Sequence, residues 1–241
     1  MMKIWREAWV LAKHELHASA MQMLFSWLLL SCLGLLFLTS FTSYLDENYI
    51  GFDIMFLFLF SYGPYLTKAR HFQYNKVFGR VWASPVLVMQ LQLPIPLNIL
   101  VRSRLLIYLT YFVPFFCFTF VMMYIANSQL NGILSLSEYL VFFFIWLAIS
   151  LFIGIILPAS DVGDFITPMV MIRSIIIIFL CLFIPIAFFY GVLNIGIVAW
   201  TIHFATTTPF LALSFSLIIL IIISLFWPYY MKKTVRKLDY M

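Results

Sequence analysis

The amino-acid sequence predicts an all-α, polytopic membrane domain with six transmembrane helices, and three observations carry that expectation. The 241-residue chain is 65% hydrophobic and only 10% charged, against roughly one quarter charged residues in soluble domains. A soluble core of this size could not hide so much apolar surface, so the solvent is lipid. Six hydrophobic runs follow one another near the ~20 residues a bilayer requires: Met21–Thr42, Ile50–Leu66, Leu105–Ile125, Tyr139–Leu157, Met169–Phe189 and Phe210–Trp227. With six spans, all 14 Lys and Arg fall on one side, and the other side carries Asp46, Glu47, Asp53 and Glu138 without a base. The positive-inside rule then places both termini in the cytoplasm, and the chain, a single domain over 1–241, is expected to be a multi-pass protein of the plasma membrane.

Each element has its own justification. Residues 1–19 read as an amphipathic interfacial helix: Ile4, Trp5, Ala8, Trp9, Ala12 and Leu16 recur at helical spacing, while Lys3, Arg6, Glu7, Lys13 and His14 cover another face. The segment is too mixed for a cleavable signal. Its HELH, His14–His17, spaces the histidines three apart, where the zinc motif needs four, so no metal site is expected. The second run is short and carries Asp53 near one end, which starts it at the interface.

The loop over 67–104 is the largest soluble feature. Lys68, Arg70, Lys76, Arg80, Arg102 and Arg104 are accompanied by no acid, and Phe78, Val81, Trp82, Val86, Leu87, Val88, Met89, Leu91 and Leu93 have no lipid to face. A basic loop drawn to anionic lipid explains the charge; one or two short helices offered to a partner's groove explain both. Pro85 suits the first turn of such a helix, Pro94 and Pro96 end it, and Leu97 or Asn98 begins the rise into the third span, with Arg102 and Arg104 at the headgroups.

Between the fourth and fifth spans, PASDVGD holds Asp161 and Asp164. Aspartyl proteolysis needs two facing carboxylates sharing a proton, whereas these lie three residues apart in one loop. Asp164 suits the N-terminus of the fifth span, and either acid can pair with Arg173 as a structural or gating pair. Residues 185–209 are apolar enough for a further crossing, but that would carry KKTVRK to the wrong side. Gly191, Asn194, Gly196 and Thr206–Thr208 fit short outer-leaflet helices packed on protein instead. Cys32, Cys117 and Cys181 lie in apolar runs and read as buried small residues.

The chain has no G-x-x-x-x-G-K-[ST] and no G-x-S-x-G, and its spans lack midplane acids or histidines of the kind coupled carriers keep. It is therefore expected not to be an enzyme, to bind no cofactor or metal, to meet no nucleic acid, and to draw energy from elsewhere.

LPIPLNILVRSR, with Leu93, Pro94, Ile95 and then Arg102 and Arg104, resembles the closing segment of the coupling loop in membrane subunits of ABC exporters of the type-two permease family. Many members carry a glutamate and a Gly-Thr pair upstream; here HFQYNKVFGRVWASP has Gly79 and no acid. The resemblance implies an amphipathic helix before six spans, a coupling helix between spans two and three docked on a separate ATPase that binds ATP and Mg, outer-leaflet helices after span five, and a homodimer or heterodimer with a related permease. It places the ATPase contact on Ser84, Pro85, Leu87, Gln90, Leu91, Gln92, Leu93 and Pro94. Spans rich in Phe, Met and Ile with almost no charge suit an apolar or amphipathic cargo, such as a lipid, a hydrophobic drug or a membrane-active peptide. The family adds antimicrobial peptides and a bacterial setting. Two other classes stand beside this one: a non-transporting assembly or immunity factor binding a cytosolic partner through the same loop, and an intramembrane enzyme using Asp161 and Asp164.

Overall fold

A computed structural model describes residues 2–47, 49–66, 75–78, 81–154, 158, 161, 164–165 and 167–236. Helix α1 (Met2–Ala18) runs through a turn at Ser19 into α2 (Ala20–Glu47), and α3 (Ile50–Leu66) returns. A hairpin of β1 (Asn75–Phe78) and β2 (Val81–Ala83) leads into α4 (Pro85–Gln92). Then come α5 (Leu97–Ala126), the short α6 (Ser128–Ile133), α7 (Leu136–Gly154), β3 (Asp164–Phe165) and α8 (Pro168–Phe188). A π-helical turn over Phe189–Leu193 joins α8 to α9 (Ile197–Thr207), and α10 (Pro209–Val235) follows.

By length and composition α2, α5, α7 and α10 can each cross a membrane, and the bent pair Phe183–Leu193 and Ile197–Thr207 supplies a fifth crossing if it is one span. These apolar helices mark a membrane-embedded protein. At 30 residues, α5 is about 45 Å long, well beyond the ~30 Å hydrocarbon layer.

The start signals are local. Ser84 stands at the N-cap of α4 with Pro85 behind it, and Leu93 is already extended before Pro94. Asn127 Oδ1 accepts the Leu130 N–H at 2.9 Å to start α6. Ser135 and Glu138 form a capping box on α7, the carboxylate accepting the Ser135 N–H at 2.8 Å and hydroxyl at 2.6 Å.

Phenylalanine builds the main core. Phe52, Phe56 and Phe60, four apart on α3, meet Phe112, Phe116 and Phe120, four apart on α5, and Trp146 of α7. Phe60 lies 5.4 Å from Phe116, and Phe56 lies 4.4 Å from Trp146, ring centre to ring centre. Such tilted and edge-on pairs add about 0.5–1.5 kcal/mol each beyond the area they bury.

Several expectations need correction. The fold is not purely helical. β2 pairs antiparallel with β1 and with β3, because the Val- and aromatic-rich stretch before Pro85 is better suited to strands than to a second short helix. Asp164 lies in β3, and α8 is capped instead by Thr167, whose hydroxyl accepts the Val170 N–H at 3.3 Å. Of the segment over 185–209, the first part continues α8 through its π turn; the chain then bends by 66° around Asn194, which lies in the left-handed region at φ 52°. Only α9 is a separate helix, packed on α7 and α10. Cys32 is exposed on the outer face of α2 rather than buried.

Candidate coupling site

The proline-bounded segment of the 67–104 loop is the helix α4, and three contacts fix its place. Leu87 is fully buried among Leu100 and Val101 of α5 and Trp227, Met231 and Val235 of α10, with Leu91, Leu97 and Leu105 packed around them. Gln90 accepts a 2.6 Å hydrogen bond from Arg104 Nη2. The Ser84 N–H donates to the Asp161 carbonyl at 2.9 Å, and Trp82 stands opposite Asp164 in the β2–β3 pair. The loops after the second and fourth hydrophobic runs are thus hydrogen-bonded to each other, and therefore lie on the same side.

Arg104 is the centre of this region. Although it lies in a long apolar helix, it is only 1% exposed. Its Nη1 lies 2.7 Å from Glu15 Oε2 and donates to Oε1 at 3.0 Å. Glu15, itself 5% exposed, comes from α1. One guanidinium therefore joins α1, α4 and α5. A buried charge is tolerable when it is paired and hydrogen-bonded in this way, and the planar fork of arginine can serve two partners at once.

The helix α1 can approach α5 because Ala8, Ala12 and Glu15 share one face and two of the three are alanine. Ala12 packs with Ile107 and Tyr111. Arg102 lies 4.8 Å over the Trp5 ring, a cation–π contact one turn further on.

Of the residues assigned to the ATPase contact, Ser84, Leu87, Gln90 and Leu91 are engaged by the chain itself, whereas Gln92, Leu93 and Pro94 are exposed and Pro85 is half-buried. Met89 is exposed beside them. Replacing Leu87 or Leu91 by Asp therefore perturbs the fold and does not report on docking alone; the residues free for a partner are Met89, Gln92, Leu93 and Pro94. Arg104 is not at the headgroups but inside the protein. Arg173 is exposed on α8 and forms no ion pair with an acid among the described residues; Asp161 is buried. The Asp164 side chain lies outside the described residues, as do Lys68, Arg70 and Arg80.

Sequence reasoning missed a second buried polar centre. Asp53, fully buried on α3, accepts hydrogen bonds from the Tyr44 hydroxyl of α2 (2.9 Å) and the Tyr190 hydroxyl of the π turn (2.7 Å). It also accepts the Ile197 (2.8 Å) and Val198 (3.0 Å) N–H groups at the start of α9. The carboxylate caps a helix to which it is not adjacent in sequence, and the positive end of α9 offsets its charge. A Cβ at Gly196 would overlap the Tyr44 hydroxyl and lie 2.9 Å from Asp53 Oδ2, so this approach needs glycine. The available signal was Asp53 itself, an acid inside an apolar run. Among the described residues no group of three or more His, Cys, Asp or Glu side chains is placed to hold a metal ion.

Comparison with family models, with curated proteins and with solved structures finds no match to this chain.

Proposed function

We propose that the chain is the membrane subunit of an ATP-driven exporter of the ABC type-two permease kind, with six spans, both termini in the cytoplasm, and a dimeric state with itself or a related permease. A separate ATPase subunit, carrying ATP and Mg, docks on α4. The observation that carries this reading is the fastening of a short, proline-bounded helix to both α1 and a long apolar helix through one buried arginine. Force applied to α4 has a stiff route into α5 by way of Gln90, Arg104 and the Leu87 cluster, which is what a rigid-body shift driven by ATPase closure requires. Meanwhile Met89, Gln92, Leu93 and Pro94 face outward, as a docking knob needs.

The cargo is apolar or amphipathic: a lipid, a hydrophobic drug or a membrane-active peptide. The phenylalanines of α3 and α5 belong to the packed core, so the apolar faces available to a cargo are the exposed ones of α2, α8 and α10, which carry Phe25, Met171 and Phe215 among others.

The test is co-purification from the native host followed by substitution on the exposed face of α4. The wild-type chain brings down a P-loop ATPase, and Met89→Asp with Leu93→Asp releases it while the chain still inserts and folds. Recovery of the chain with no nucleotide-hydrolysing partner, or a variant that retains the ATPase and transports normally, would end the exporter reading and favour a binding-only membrane factor.

A further inference from the structure

We infer that the outward side of α1 is a binding surface for anionic phospholipid headgroups, and that α1 carries this contact to the buried Arg104. The inference rests on the membrane setting of the chain and not on the exporter reading.

The inward side of α1 is accounted for by Ala8, Ala12 and Glu15 against α5. The rest is exposed and sorted. Arg6, Trp9 and Lys13, at spacings of three and four, form one stripe, and all three are exposed, as are Lys3, His14 and His17 behind them. Trp5 and Trp9 keep 39% and 46% of their surface open. Glu15 is consumed by Arg104, which leaves Glu7 as the exposed acid of this helix. Nearby bases share the same end of the molecule: Arg102 sits over Trp5, and the end of α10, with Lys232 and Lys233, packs on the start of α5.

Bases beside open tryptophans fit a lipid surface better than a soluble protein. The rings match the headgroup boundary, where one side is apolar and the other wet, and the bases match phosphate. Continuity decides between them. After Ser19 the chain goes straight into α2, whose Met21, Leu24, Phe25 and Leu28 are exposed apolar side chains. The stripe on α1 therefore begins where the lipid-facing surface of α2 ends, at headgroup depth. Through Glu15, the position of α1 on that surface bears directly on Arg104 and so on α4.

The test uses the full chain in nanodiscs of phosphatidylcholine doped with a small fraction of either brominated phosphatidylglycerol or brominated phosphatidylcholine, reading the quenching of tryptophan fluorescence. The anionic quencher is expected to act at several-fold lower mole fraction than the zwitterionic one, and high salt should erase the difference. Arg6→Gln with Lys13→Gln, both exposed and outside the packed face, should erase most of the preference, each base being worth up to about fivefold. Trp9→Phe should remove much of the preferentially quenched signal. Equal quenching by the two lipids in the wild type, or a preference unchanged in the double variant, overturns the proposal. A preference that vanishes once a co-purified protein partner is bound also overturns it, because that partner would then own the surface.

Discussion

The two ends of the molecule each bury a charge among helices, and they neutralise it by different means. At the basic end Arg104 meets a full opposite charge, Glu15, together with the Gln90 amide. At the other end Asp53 meets no cation among the described residues; two tyrosine hydroxyls and the first N–H groups of α9 surround it. An ion pair depends on both partners, so losing either strands the other in a low-dielectric interior. A carboxylate held by dipoles spreads its dependence over several groups and ties down whichever backbone supplies them. The first arrangement suits a joint through which force passes between elements. The second suits an anchor that holds a broken helix in one shape.

The largest test of that contrast is at the ion pair. Arg104→Leu strands Glu15 and is expected to destabilise the protein by about 3–5 kcal/mol, read as a lowered thermal midpoint in detergent. Adding Glu15→Leu should return much of the loss, since an apolar pair can replace a buried ion pair nearly neutrally. If the double variant is worse than the single, the two charges are not acting as a pair.

Asp53→Asn, which keeps one acceptor oxygen, should be milder, about 1–3 kcal/mol for each donor left unpaired, and local. Hydrogen exchange should speed at Ile197 and Val198 while amides of α1 and α5 keep their protection. Global loss of protection would show that this anchor serves the whole bundle. Gly196→Ala comes last, at about 1–3 kcal/mol of overpacking. Tyr44→Phe should relieve part of it by removing the hydroxyl that the new methyl strikes; no relief would place the crowding elsewhere.

How much was legible beforehand follows the same division. The apolar runs, the short third helix starting at Ile50, the start of α4 at Pro85 and its end before Pro94 could all be read from the sequence, because proline geometry and hydrophobic periodicity act over a few residues. The β2–β3 pairing could not, since it joins Trp82 to Asp164 across α4, α5, α6 and α7, and two short strands give no periodic signal of their own. Arg104 could be seen as a base near a membrane edge, but not as one enclosed by Glu15, 89 residues away.

By itself, then, the sequence determined the solvent and the segments: so much apolar side-chain surface permits only lipid and helices, because backbone groups in hydrocarbon must be satisfied within their own segment. Only the tertiary structure decided which charges lie inside and what they hold. Partners for Arg104, Asp53 and Leu87 come from distant stretches of chain, and electrostatic and packing energies are set by distance in space, not by separation in sequence.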